Sequence, residues 1–141
     1  MTYYSTCEQD TEMIGERLAA ALPKEGVVIA MYGELGAGKT ALIRGLGRGL
    51  GVEGQVMSPT FTIVNELYGK RELFHFDMYR LGSADELFDI GWEDYLARGG
   101  VCAVEWSENV EDAFDGSEIR VLIEKTGDTS RRITIEGAEL C

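Results

Sequence analysis

The stretch Val27-Val28-Ile29-Ala30-Met31-Tyr32, followed by Gly33-Glu34-Leu35-Gly36-Ala37-Gly38-Lys39-Thr40, constrains the fold more than any other part of the chain. An apolar run of strand length without alternation fits a central parallel strand covered on both faces. It breaks into a glycine-rich turn that closes on a lysine and a hydroxyl. A helical pattern follows, with Leu42, Ile43, Leu46 and Leu50 turned inward. This is the phosphate-binding pattern G-x-x-x-x-G-K-S/T in the strand–loop–helix context it requires. Gly33, Gly36 and Gly38 let backbone N–H groups approach phosphate oxygens closely. The helix opening at Lys39 aims its positive dipole end at the same anion. Lys39 supplies a mobile positive charge for the β/γ-phosphates, and Thr40 a hydroxyl for Mg²⁺. The candidate nucleotide contacts are therefore Gly33, Glu34, Leu35, Gly36, Ala37, Gly38, Lys39, Thr40 and the adjoining Ala41.

The chain has 141 residues, enough for a single domain with one core and short for a phosphate-loop protein. Little length remains for a lid or an acceptor-binding insertion, which disfavours transfer to a small molecule. The net charge is −12, from 25 acids and 13 bases. Such a surface repels nucleic-acid backbones and anionic membranes. Cys7, Cys102 and Cys141 show no C-x-x-C spacing, and with one histidine they make neither a zinc site nor a disulfide framework. Cys102 lies in an apolar run and reads as a small buried hydrophobe. With no signal-peptide pattern and no apolar run of about 18 residues, a reducing cytosol is the expected compartment.

A helix is expected over Glu8–Leu22, with Thr6 and Gln9 at capping-box spacing and an apolar stripe of Ile14, Leu18, Ala21 and Leu22. In the loop helix, Gly45, Gly47 and Gly49 each cost about 1 kcal/mol of propensity against alanine. Close packing against the sheet accounts for one of them. Phe61–Tyr68 and Glu72–Tyr79 read as strands joined at Gly69-Lys70. In the second, Leu73, His75, Asp77 and Tyr79 share one face, and Phe74, Phe76 and Met78 the other. Ser83 and Glu86 form another capping box before a short helix ended by Gly91, and Trp92–Leu96 adds a helical turn. Val101–Val104 is a second buried strand, running into Glu105-Trp106. Glu118–Lys125 and Arg132–Glu136 alternate, as in a solvated antiparallel hairpin at the sheet edge.

A phosphate loop needs a second metal-ligand carboxylate at the end of a neighbouring apolar strand. Glu105 and Asp77 both fit. Glu105 closes the run without alternation and is the better neighbour for Val27–Tyr32. Asp77 belongs to a hairpin expected to lie off to the side. His75 reads as a packed strand histidine. Trp106 gains interest from following a candidate metal ligand, and Glu108 stands one turn further on. Ser58-Pro59-Thr60 occupies the region where phosphate-loop switches place a hydroxyl near the γ-phosphate.

Together the glycine loop, Ser58-Pro59-Thr60-Phe61, His75-Phe76-Asp77-Met78-Tyr79-Arg80 and Val104-Glu105-Trp106 resemble the TsaE (YjeE) family, the bacterial ATPase of tRNA threonylcarbamoyladenosine synthesis. The resemblance covers roughly residues 5–136. It implies an α/β phosphate-loop fold with a mixed parallel and antiparallel sheet flanked by helices in a single domain. It implies slow ATP hydrolysis with Mg²⁺, resetting the TsaD–TsaB pair that modifies adenosine 37 of tRNA. It implies that tRNA is met only through partners and that no membrane is involved. Carried over by position, Lys39 and Thr40 hold phosphate and Mg²⁺. Asp77 stands at the metal or the attacking water, which with Lys39 makes the catalytic pair. Glu105 is a Mg²⁺ ligand, and Thr11 lies near the base. Ser58 and Thr60 belong to the switch-like segment, and Trp106 and Glu108 to the nucleotide surroundings. An arginine of the final hairpin approaches the nucleotide. Arg131 and Arg132 both fit, with Arg132 carried among the candidate contacts. The proline that often follows the E-W pair in that family is Ser107 here.

Two other activities are compatible with a phosphate loop: a small-molecule or nucleoside kinase, and a nucleotide-gated scaffold that does not hydrolyse. Only 36 residues remain after Glu105, leaving a kinase little room for an acceptor site and an arginine-bearing lid.

Overall fold

A computed structural model of the chain describes residues 1–34, 36–53 and 64–140. The apolar run Val27–Tyr32 is strand β2, and the strand Val101–Glu105, β5, is its parallel neighbour, with Val27 beside Val101 and Ala30 beside Val104. Around this pair one seven-stranded sheet is built in the order β1-β7-β6-β2-β5-β4-β3. Its remaining members are β1 (Thr2–Ser5), β3 (Val64–Leu67), β4 (Leu73–Asp77), β6 (Ile119–Lys125) and β7 (Arg131–Glu136). β6, β2, β5 and β4 run parallel, while β3 adds antiparallel to β4, β7 to β6, and β1 to β7. The sheet is thus mixed, as the resemblance implies.

Helices α1 (Glu8–Ala21) and α2 (Lys39–Gly49) cover one face. Ile14 and Leu18 from α1, and Leu42, Ile43 and Leu46 from α2, close over Ile29, Met31, Val101, Ala103 and Val121. The other face carries α3 (Ala84–Asp89), α4 (Trp92–Ala97) and a 3₁₀ segment Ser107–Ala113 kinked at Val110. There Leu87, Trp92 and Val110 pack on Phe74, Phe76, Cys102 and Val104. Burial pushes the Cys102 thiol up to about 12, as expected for a core cysteine. Among the described residues no helix is long and apolar enough to cross a membrane.

Five local expectations are corrected. The final hairpin is not the sheet edge: β6 is interior, between β2 and β7, and β1 covers β7. Alternation reports that one face is solvated and is silent about edges. The edge is instead Thr2–Ser5, too short and polar to stand out in the sequence. β4 is not off to the side, because it pairs parallel with β5 and places Asp77 opposite Glu105. Gly45 and Gly49 of α2 answer to α1 and not to the sheet. A Cβ on Gly45 would lie 1.8 Å from the Glu12 carbonyl oxygen, and one on Gly15 would lie 2.2 Å from that of Leu42. The same account extends to Gly49, whose Cβ would meet that of Ala19 at 2.6 Å. Finally, the first capping box shifts by a residue. Cys7 is the N-cap of α1, and Asp10 reaches back to the Thr6 N–H and hydroxyl at 3.0 and 2.9 Å. Ser83 is the N-cap of α3, yet its side chain makes no cap bond, and Glu86 accepts from the Gly82 N–H at 3.1 Å. α2 closes as expected at Gly51, whose N–H reaches Arg48 O while Val52 N–H reaches Gly47 O.

Candidate functional site

The carboxyl ends of β2, β5 and β4 open on one cavity of about 500 Å³, where a doubly wound sheet usually keeps its ligand site. Its floor is the loop after β2. Gly33, Gly36 and Gly38 have φ of 149°, 80° and 105°, values that side-chain-bearing residues rarely adopt. The loop then turns directly into α2 at Lys39. Gly36, Gly38, Lys39, Thr40 and Ala41 all line the cavity.

Lys39 is buried inside this loop. Its Nζ donates to Gly33 O at 2.6 Å and sits 3.8 Å from the centroid of the Trp106 ring. Burial lowers its pKa, against the opposing charges of Glu105, Glu108 and Asp77. Facing it, Asp77 and Glu105 occupy paired positions on adjacent parallel strands. Asp77 is half-buried, and desolvation raises its carboxyl above the usual range although the Tyr79 N–H donates to its Oδ1 at 3.1 Å. Glu105 is buried, and His75 Nε2–H donates to its Oε2 at 2.5 Å. His75 is fully buried, and its Nδ1 has no hydrogen-bond partner among the described residues. The histidine therefore orients the carboxylate from below, consistent with its reading as a packed strand residue. Trp106 follows with φ 58°, half-buried between Lys39 and the exposed Tyr79, whose ring lies 5.0 Å away.

The far end of the cavity is built by the start of α1 and by the β6–β7 turn. Thr11 is buried there, its hydroxyl sharing a 2.8 Å hydrogen bond with that of Ser5. Cys7, Glu8 and Arg44 join it from one side, and Asp128 and Thr129 from the other.

The hairpin arginine on the cavity is Arg131. Its Nε donates to Ala37 O at 2.8 Å and its Nη2 to Gly36 O at 3.4 Å. Arg132 points to the opposite face, where it is held by Glu124 at 3.1 and 3.0 Å, and it does not line the cavity. Strand alternation explains the difference, and it was readable: Arg131 shares its face with Ile133 and Ile135, which are buried. Glu108 is exposed on the 3₁₀ segment, where only its charge reaches Lys39. Glu34 is exposed on the outer side of the loop, with Gly33 and Ala37, facing Lys125 across a separate cleft. Leu35, Ser58 and Thr60 lie outside the described residues. Tyr79, Arg44, Glu8 and the β6–β7 turn enter the site without having been singled out. Apart from Tyr79, inside the H-x-D-x-Y-R block, they carried no motif signal.

Donor chemistry limits what metal this site suits. Among the described residues no three histidine, cysteine or acid side chains converge as a metal cage. A hydroxyl and two carboxylates match Mg²⁺, which keeps several waters and usually takes one or two protein carboxylates beside phosphate oxygens.

A family model described as threonylcarbamoyl adenosine biosynthesis protein TsaE matches residues 5–133. The tRNA threonylcarbamoyladenosine biosynthesis protein TsaE of Treponema pallidum is 36% identical over 135 residues, covering 96% of this chain and 99% of that protein. The protein of the same name from Bacillus subtilis is 40% identical over 127 residues, 89% of this chain and 78% of that one. The crystal structure of Bacillus subtilis YdiB superposes with a TM-score of 0.79 at 30% identity, over 100% of this chain and 86% of the other. A glycine loop facing paired acids, matched by sequence and by fold along nearly the whole chain, makes this protein a member of the TsaE family.

Proposed function

We propose that this chain is a Mg²⁺-dependent ATPase of tRNA threonylcarbamoyladenosine synthesis, acting with a TsaD–TsaB-type pair in the cytoplasm. The observation that carries this reading is the placement of Lys39 and Thr40 opposite the register-paired Asp77 and Glu105. The family membership and the names of its relatives supply the pathway.

On this reading the glycine loop binds the ATP phosphates through its N–H groups. Lys39 leaves Gly33 O and the Trp106 face to meet phosphate oxygens. Thr40 and Glu105 would hold Mg²⁺, with Asp77 beside them, and the hydrogen bond from His75 fixes the Glu105 carboxylate. The metal would neutralise charge developing on the transferred phosphoryl group. Asp77, half-buried at the same strand ends, orients the attacking water and takes its proton. Thr11 and the start of α1 flank the base. Arg131 is tied to loop carbonyls, and it steadies the cradle from the hairpin side of the cavity.

Purified protein with ATP and Mg²⁺ tests this directly. Release of ADP and phosphate without an acceptor is expected, with ATP-dependent recovery of the partner pair in a pull-down. ADP appearing only with an added acceptor would identify a kinase. Binding without turnover, even with partners present, would identify a nucleotide-gated scaffold.

A further inference from the structure

A hydroxyl and a carboxamide tie together the three strand ends on which the site is built. β2 and β5 are paired as far as Ala30 and Val104. Two residues beyond, Trp106 turns the chain out of the sheet at φ 58°, a left-handed conformation that side-chain-bearing residues rarely adopt. Ser107 then returns to the gap. Its Oγ, fully buried, accepts from the Met31 N–H at 3.1 Å and donates to Val104 O at 2.8 Å. The hydroxyl thus stands in for a rung of the ladder, satisfying a buried N–H that would otherwise have no partner there. Asn109 serves β4 in the same way. Its Nδ2 donates to Met78 O at 2.9 Å, while the Met78 N–H donates to Glu105 O at 3.1 Å. The Asn109 N–H also donates to Trp106 O at 3.0 Å, holding the left-handed residue from its far side.

The segment Ser107-Glu108-Asn109 therefore fastens the strand carrying the glycine loop, the strand ending in Glu105 and the strand ending in Asp77. A strained residue persists only where its surroundings over-determine it, and here that strained residue turns its indole onto Lys39. We propose that Ser107 and Asn109 are positioning residues that set Glu105 and Trp106 against the glycine loop and Asp77. The inference rests on reading the cavity as a Mg²⁺–ATP site. Neither residue lines that cavity.

The test compares the wild type with Ser107→Ala, Asn109→Ala and Ser107→Thr, which keeps the hydroxyl. Four quantities are measured: kcat, KM for ATP, melting temperature, and acrylamide quenching of tryptophan fluorescence without nucleotide. Trp92 is fully buried, so quenching reads Trp106. Both alanine variants should lower kcat about 10- to 100-fold, the usual range for losing an outer-sphere partner. KM should stay within about threefold, since uniform binding is untouched. Quenching should rise, and Ser107→Thr should recover most of kcat. A kcat per folded molecule equal to wild type, with only the melting temperature reduced, overturns the proposal. Should Ser107→Ala fail to fold, Asn109→Ala at its half-buried site decides alone. If the wild type hydrolyses no ATP, the ATPase reading falls. The brace is then judged on quenching: a rise in the alanine variants supports it, and values equal to wild type refute it.

Discussion

Lys39 is stored rather than displayed. Its ammonium is already paired with Gly33 O and the Trp106 ring, so on the proposed reading binding phosphate would exchange these contacts for charge-assisted ones to an anion. Each hydrogen bond to a charged partner is worth about 1.5–3 kcal/mol, so Lys39→Ala should weaken ATP binding roughly 10- to 100-fold. Calorimetric titration checks this, and wild-type affinity would remove Lys39 from the site. Glu105→Ala should separate binding from turnover: ATP affinity persists while Mg²⁺-dependent phosphate release drops at least about tenfold. Unchanged turnover would refute its assignment as a metal ligand. The cysteines give an independent check on the fold. With its thiol pushed up to about 12, Cys102 holds almost no thiolate at pH 8, whereas Cys7 is half-exposed at the start of α1. Iodoacetamide on native protein, followed by peptide mapping, should modify Cys7 and spare Cys102.

At the scale of elements, the helix pair α1–α2 sets a contest between propensity and packing. Alanine at Gly45 gains about 1 kcal/mol of helix propensity. It also drives a methyl to 1.8 Å from the Glu12 carbonyl, a backbone atom that cannot swing aside. Overpacking of this kind costs about 1–3 kcal/mol or more, so packing wins. Gly45→Ala should lower the melting temperature by several degrees, since about 1 kcal/mol corresponds to roughly 3–5 °C for a chain of this size. A raised melting temperature would mean the helices can move apart. The same pair shows where sequence reasoning stops. Uninterrupted apolar runs announced β2 and β5, and the glycine pattern announced the loop, because each is a local signal. That Gly45 answers to α1, that β6 is interior, and that β1 forms the edge depend on partners distant in the chain. Arg131 was within reach, since counting back in twos from Ile135 and Ile133 lands on it and passes over Arg132. Thr11 came only through the family resemblance, and Glu8, Asp128 and Thr129 were out of reach, because only the closed sheet brings α1 and the β6–β7 turn to the loop.

For the molecule as a whole, a net charge of −12 belongs to a member of a family named for RNA modification. The two facts agree if other proteins hold the tRNA and this chain supplies only the hydrolysis. Isolated protein should show no tight tRNA binding at about 0.15 M salt, where phosphate contacts need cationic surface. Fluorescence anisotropy with labelled tRNA decides this, and sub-micromolar affinity would sink it. The strand order carries one more consequence, for synthesis on the ribosome. The Met1 ammonium donates to Ile135 O, 134 positions away, and β2 waits for β6 to complete its neighbours. The sheet cannot close until almost all of the chain has emerged, and loop-closure entropy makes such distant pairing slow. The nascent protein thus spends most of its translation with β2, its most apolar strand, lacking both of its neighbours, and the surroundings of the glycine loop are among the last things to be completed.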